Sequence, residues 1–221
     1  MIELIFAISI SFLSTAVFVF FVYRSGVKRK KFEEELRKYS LRMNYTIEIK
    51  PEIGVFFRLQ GDSNRKKWIL TSYYKALSAP GSVVRFMKLE CSELRHDHTL
   101  FIGSGELHKL GDLKSLVPVN SNLLKMMMDP EVYEILPSLE KAQVNGSSEV
   151  NKAFTVLTSW NKDSSELIDG DIEKALLQIE KKRGFNVVIL KDKLSIKAAS
   201  PDNIQEIEQV IGIADRFIKK L

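Results

Sequence analysis

One cysteine and three histidines are the residues of this chain best suited by type to metal or nucleophilic chemistry. Cys91, His96 and His98 lie close together, and His108 follows. A thiolate and two imidazoles, with a carboxylate such as Asp97, form a donor set that suits zinc. In a strand, positions i and i+2 point the same way, so His96 and His98 would share a face with Asp97 opposite. The two-residue spacing of paired cysteines that marks a zinc motif is absent, and His-Asp-His also reads as a polar loop between strands. Cys91, His96 and His98 are therefore the weak metal candidates and the place where an enzyme site would be sought. No metal and no other cofactor is assigned.

Other chemistry is thinner still. Gly103-Ser104-Gly105 follows an apolar run, but it lacks both the third glycine of a dinucleotide loop and the Gly-Lys-Ser/Thr of a phosphate loop. It reads as a turn. No Gly-x-Ser-x-Gly surrounds a serine. The carboxylates Glu90, Glu93 and Asp112 are scattered, so no catalytic residue is named and the balance is against an enzyme. Met126-Met127-Met128, beside Leu123 and Leu124, is a different kind of signal. Methionine adapts to varied surfaces, so these three are candidates for a partner-binding patch, set against ordinary core filling. Trp68, Trp160, Phe56, Phe57, Tyr73 and Tyr74 read as sheet packing, because base stacking calls for basic neighbours on the same face.

The elements that must carry these residues begin with an uncharged run from Leu4 to Tyr23. As a helix it would reach about 30 Å, the thickness of a bilayer core. The N-terminal flank Met1-Ile2-Glu3 has no basic residue, so a cleaved secretory signal is not expected. Arg24, Lys28, Arg29, Lys30 and Lys31 crowd the other flank, with Tyr23 at the interfacial position. The excess of basic residues then places residues 24–221 in the cytoplasm and the N-terminus outside. The expectation is a single-pass inner-membrane anchor over residues 1–23, a basic juxtamembrane helix over 24–44, and a cytoplasmic α+β domain over 45–221, as one body or as lobes 45–140 and 141–221.

The net charge of +5 follows the same division. Residues 24–42 hold eight basic and three acidic residues, leaving the domain close to neutral. That distribution excludes a nucleic-acid footprint and points to anionic headgroups near residues 24–42. Arg65-Lys66-Lys67 reads as a solvated loop tip. The lone cysteine cannot form an intrachain disulfide, which suits a reducing compartment.

Apolar spacing supplies the rest. Phe32, Leu36, Tyr39 and Met43 form one helical stripe, with Asn44 as a stop. Alternating or β-branched runs predict strands over 45–50, 55–60, 68–74, 83–91, 100–103 and 154–160, with a hairpin on a longer loop around residues 61–65. Asp129-Pro130-Glu131 opens a short helix that Pro137 ends. Residues 145–148 read as a turn. A helix capped by Asp171, a hairpin around residues 191–193 and a helix opened by Ser200-Pro201 complete the chain. The fold class is thus α+β: a single transmembrane helix, then a mostly antiparallel sheet with packed helices, ending in a strand-helix-hairpin-helix unit.

The succession "VNGSSEVNKAFTVLTSW", "DIEKALLQIEKKRG", "FNVVILKDKLSIKA" and a closing amphipathic helix, behind a basic anchor, resembles uncharacterised prokaryotic membrane-anchored proteins with one N-terminal helix and a small cytoplasmic α+β domain. The resemblance implies that architecture and brings no activity with it. The function expected is that of an accessory or scaffold protein whose domain binds a protein partner of unknown identity. The alternatives are an anchored enzyme near Cys91, His96 and His98, or an anionic-lipid-binding module.

Overall fold

The computed structural model describes residues 23–24, 26–76, 83–97, 99–104, 130–144, 146–159, 166–179, 185–199, 201 and 203–221. The chain divides into two compact units between Met43 and Asn44.

In the first unit, helix α1 spans residues 26–43. Leu36 and Tyr39 of the expected stripe are buried and Phe32 is half-buried, whereas Met43 is exposed. Arg42 lies over the Tyr39 ring at 5.4 Å. The helix stops at Asn44, whose φ of 56° is the left-handed conformation that asparagine tolerates at a helix end. The expected transmembrane span over 4–23 lies, apart from Tyr23, outside the described residues. Among the described residues, no helix is long and apolar enough to cross a membrane. The fold class is corrected accordingly: its described elements are an antiparallel sheet and packed helices, with no membrane-crossing helix among them. α1 itself carries seven basic and three acidic residues, and each ionised side chain at a bilayer centre costs about 3 kcal/mol.

Among the described residues, the second unit is built on one nine-stranded antiparallel sheet. The strands are β1 (Thr46–Ile49), β2 (Val55–Ser63), β3 (Lys66–Ala76), β4 (Val83–Ser92), β5 (Leu100–Ser104), β6 (Glu140–Ala142), β7 (Phe154–Thr158), β8 (Asn186–Leu190) and β9 (Lys193–Ala199). Their order is β1-β2-β3-β4-β9-β8-β5-β7-β6. The first four form a meander, and β9 joins it to the later strands. Among the described residues four helices accompany them: α2 (Pro130–Ile135), α3 (Ser148–Ala153), α4 (Gly170–Ile179) and α5 (Ile204–Lys220).

Residues directly opposite on paired strands project to the same face. The register therefore gives an unbroken apolar row across the whole sheet: Ile47, Leu59, Leu70, Leu89, Ile196, Val187, Ile102, Val156 and Ala142. α5 packs across β2, β4 and β9 and alongside α4. Its Ile207, Val210, Ile211, Ala214, Phe217 and Ile218 are buried, on the spacing of a single helical face. On the opposite face, α2 and the 3₁₀ turn Leu136–Ser138 bring Val132 and Leu139 onto Phe101, Leu157 and Val188.

Local chemistry departs from the sequence reading at the turns and caps. β2 and β3 are joined by two residues, Asn64 and Arg65, both left-handed (φ 50° and 63°), with Ser63 already paired to Lys66. Two consecutive left-handed residues match the strand twist in a tight hairpin, so the longer loop is not needed. Lys66 and Lys67 thereby belong to β3 instead of a loop tip. Gly61 is a strand residue: a Cβ there would run into Trp68 and stand 2.7 Å from Tyr45, whose rings meet edge to face at 4.9 Å. Residues 148–153 form α3, capped by Ser147, whose hydroxyl accepts from the Val150 amide. The cap of α4 is Asp169, not Asp171: its carboxylate accepts from the amides of Asp171 at 3.2 Å and Ile172 at 3.0 Å. Asn203, not Ser200-Pro201, caps α5 by accepting from the Glu206 amide at 3.1 Å.

The Trp68 contact makes Gly61 a sensitive position. Gly61→Ala is expected to destabilise the protein by about 1–3 kcal/mol, the usual cost of overpacking. Gly170→Ala, where a Cβ meets nothing within 4 Å, is the matched control. Urea unfolding of both variants checks this; equal midpoints would show that the Trp68 contact yields without cost.

Candidate functional site

The sequence-derived metal candidates are placed apart in kind. Cys91 is fully buried in β4, opposite Trp68 on one side and Leu194 on the other, in the layer that carries the apolar row. Burial pushes its thiol up, with Lys66 pulling weakly the other way. A thiol held protonated is neither a good nucleophile nor a ready ligand. Beyond it the chain turns at Glu93, in the left-handed region at φ 72°. His96 is half-buried, and its backbone amide donates to Lys191 at 2.9 Å. Strand alternation does not reach it, because the segment after Ser92 is irregular. His98, His108, Asp112 and Met126, Met127 and Met128 lie outside the described residues. Among the described residues, no group of three or more His, Cys, Asp or Glu side chains is placed to hold a metal ion. Gly103 and Ser104 are not a turn: both are paired in β5, and the Ser104 hydroxyl donates to the Phe185 carbonyl at 3.3 Å.

The distinctive surface is the second face of the sheet. One residue from the apolar row runs a polar row: Glu48, Arg58, Thr71, Lys88, Lys197, Asn186, Gly103 and Thr155. The next row on the same face is Thr46, Gln60, Ile69, Glu90, Ser195, Val188, Phe101, Leu157 and Lys141. It changes from mainly polar to apolar between Ser195 and Val188, where the α2 side chains begin. In this row the face is mainly polar over β1–β4 and β9, with Ile69 the exception, and apolar over β8, β5 and β7, whereas the neighbouring row stays polar on β8 and β7 through Asn186 and Thr155.

Two ion-pair groups organise the polar half. Arg58 donates to Glu52 at 2.7 Å and to Glu48 at 3.4 Å. Glu90 takes Lys88 at 2.8 Å and Lys193 at 2.9 Å, and Lys193 also reaches Glu131 of α2 at 3.8 Å. Between the groups stands Ile69, an isoleucine 42% exposed in the middle of a strand. Lys197, opposite Lys88, is buried, with its ammonium 5.3 Å from the Phe86 ring centroid. Neighbouring buried polar groups include Ser195, Asn186 and Thr155.

The sequence reading missed Arg58, Ile69, Lys88 and Lys193, and treated Glu90 as one of several scattered carboxylates. The available signal was strand alternation: Arg58 and Gln60, and Lys88 and Glu90, sit two apart between apolar residues, which puts them on the outward face.

No family model matches the chain, and no curated protein matches it. Among solved structures it is similar to the mycobacterial trehalose monomycolate transport factor A, at 6% identity and a TM-score of 0.47, over 86% of this chain and 94% of that one.

The Glu90 group makes a pH prediction. Burial pushes its carboxyl up, but hydrogen bonds from Lys88 and Lys193 outweigh that and hold it below the ordinary range. A carboxyl depressed in the folded state stabilises above its unfolded value, about 4.3, and loses that contribution as pH falls through the folded value. Glu90→Gln is therefore expected to lower the Tm at pH 7 and to cost progressively less as the pH falls below about 4. A Tm difference that stays constant down that acid limb would show that the ion pairs contribute nothing.

Proposed function

We propose that this protein is an accessory or scaffold protein whose α+β domain binds a protein partner on the polar half of the second sheet face. The observation that carries the reading is Ile69, an exposed apolar side chain framed by the Arg58 and Glu90 ion-pair groups. An apolar centre with a rim of hydrogen-bonding and charged groups is the anatomy of a protein interface. β-sheet backbone holds these side chains at fixed cross-strand spacing of about 4.8 Å, so the surface is preorganised.

The test compares variants in the full chain. Wild type is isolated under gentle conditions, and its stoichiometric companion is identified and re-bound in purified form. Ile69→Asp is expected to weaken that companion by more than about thirtyfold, as at an interface hot spot. Glu149→Lys, at an exposed position on α3, is expected to leave it unchanged. A companion held equally by both variants, with thermal stability intact, would remove this face from the interaction.

A second partner is favoured by α1, whose Lys28, Arg29, Lys30 and Lys31 are all exposed, as is Arg24 before it. Arg29 pairs with Glu33 and Lys31 with Glu35 at the surface, where such pairs are weak. These residues would meet anionic headgroups, at about 1 kcal/mol each near the surface. Binding is expected to vesicles containing phosphatidylserine and not to pure phosphatidylcholine, and to fall on replacing residues 28–31 by glutamine. Indifference to lipid charge would dispose of it.

A further inference from the structure

The outward side of α1 carries charge mainly of one sign. Leu36 and Tyr39 are buried and Phe32 is half-buried, so their stripe marks the inner side of the helix. Glu34 stands two residues from both Phe32 and Leu36, which at about 3.6 residues per turn puts it on the opposite side. Its neighbours there, three and four positions away in each direction, are Lys30, Lys31, Arg37 and Lys38. All five are exposed, so four cations surround one carboxylate. The remaining basic residues of α1 are placed differently. Lys28 lies one turn before Phe32, at the margin of the inner stripe, Arg29 pairs with Glu33 at 3.2 Å, and Arg42 stands over the Tyr39 ring at 5.4 Å. Lys31 also reaches Glu35, at 3.9 Å and at the surface, where such a pair is weak.

The same side exposes an apolar residue towards each end. Val27 and Leu41 are seven residues to either side of Glu34 and fall on its line. They are 49% and 82% exposed and stand about 21 Å apart along the helix. Tyr23 and Arg24, both exposed, precede Val27 by four and three residues. This mixture decides between two anionic partners. The phosphate backbone of a nucleic acid would use the cations and leave Val27 and Leu41 in water. A lipid surface uses both kinds of residue: apolar side chains enter below the headgroups while lysine and arginine heads stay level with them on apolar stems. The uncharged run of residues 4–22, which ends at Tyr23, shares the preference for lipid.

We infer that α1 lies lengthwise on an anionic lipid surface with its Glu34 side towards the lipid, Lys30, Lys31, Arg37 and Lys38 on headgroup oxygens, and Val27 and Leu41 seated at either end. The inference rests on the reading that the basic stretch meets anionic headgroups, and it adds which side of the helix does so and how the helix lies. Contact runs the length of α1 and is not confined to residues 28–31. Glu34 is offset by the four cations around it.

The test uses the full chain carrying an environment-sensitive dye at Leu41→Cys or at Met43→Cys. Met43 follows Tyr39 by four residues, on the inner stripe, yet is itself exposed. The native Cys91 is buried and stays unlabelled. The dye at position 41 is expected to shift to the blue on vesicles containing phosphatidylserine and not on pure phosphatidylcholine, and the dye at position 43 to stay unchanged. Read by the dye at 41, Arg37→Gln with Lys38→Gln is expected to weaken binding about twentyfold, about fivefold for each cation at the surface. Lys28→Gln with Arg29→Gln removes the same charge from off the line, and about threefold or less is expected there. Equal shifts at the two positions, equal losses from the two charge pairs, or a duplex DNA oligonucleotide that shifts the dye at 41 as the vesicles do would overturn the inference. The two readings fail separately. Sedimentation with phosphatidylserine vesicles but no shift at position 41 keeps the headgroup contact and removes this orientation. Sedimentation indifferent to lipid charge removes both.

Discussion

The pairing of β4 with β9 is the constraint on which this domain depends. It sets Leu89 against Ile196 and Lys88 against Lys197, and so fixes which face of the first meander continues which face of the later strands. Because side chains alternate, a slip of one residue would carry every apolar residue of one half to the polar side. α5 enforces the register from above, since it packs on β2, β4 and β9 together and buries one continuous stripe. Its far end is tied down as well. Asp215 accepts from Ser63 at the tip of β2 and from Lys219 at 2.6 Å. Lys220 reaches Asp169, the cap of α4, at 2.8 Å. One helix thereby links the meander, the central strands and the preceding helix.

The same register explains how a face can be both structural and presented. Where Val188, Phe101 and Leu157 make the second face apolar, α2 and its 3₁₀ extension supply Val132, Leu136 and Leu139. Where it is polar, the strands carry their own satisfaction: Arg58 holds two carboxylates and Glu90 holds two ammonium groups. Like charges opposite one another on neighbouring strands are unfavourable, and Lys88 faces Lys197 in this way. Glu90, two residues along β4 on the same face, offsets that repulsion through Lys88. The buried ammonium of Lys197 gains from the Phe86 ring.

Much of this was legible in the sequence, and the illegible part has a common cause. Strands and the final amphipathic helix announce themselves through local periodicity, so β2, β3, β4, β8, β9 and α5 were expected close to where they stand. Whether the strands made one sheet or two was not legible, because β4 and β9 are about a hundred residues apart and no turn sets their register. Tight turns misled for a steric reason. Gly61 suggested a loop, yet it is a strand residue emptied of side chain so that Trp68 and Tyr45 can close over it. Arg65 is an unusual choice for a left-handed turn position. The metal candidates misled because nearness in sequence ends at a bend: Cys91 is the last residue of β4 to face the core, and the chain leaves the strand before His96. The polar rows, in turn, exist only across strands, and a single strand shows no more than two of their members.

The edges of the sheet bear on how a partner would approach. A long exposed edge recruits another strand by backbone pairing, and natural sheets blunt such edges by keeping them short. Among the described strands the two edges are β1, of four residues, and β6, of three. β1 is closed by Lys50, left-handed at φ 52°, and then by Pro51, which has no amide hydrogen to donate. Such edges offer little backbone to a partner strand. The face differs: Arg58, Ile69 and Glu90 are spread over three adjacent strands and held at fixed spacing. Such edges leave the face, more than the rim, as the surface on which the proposed recognition would take place.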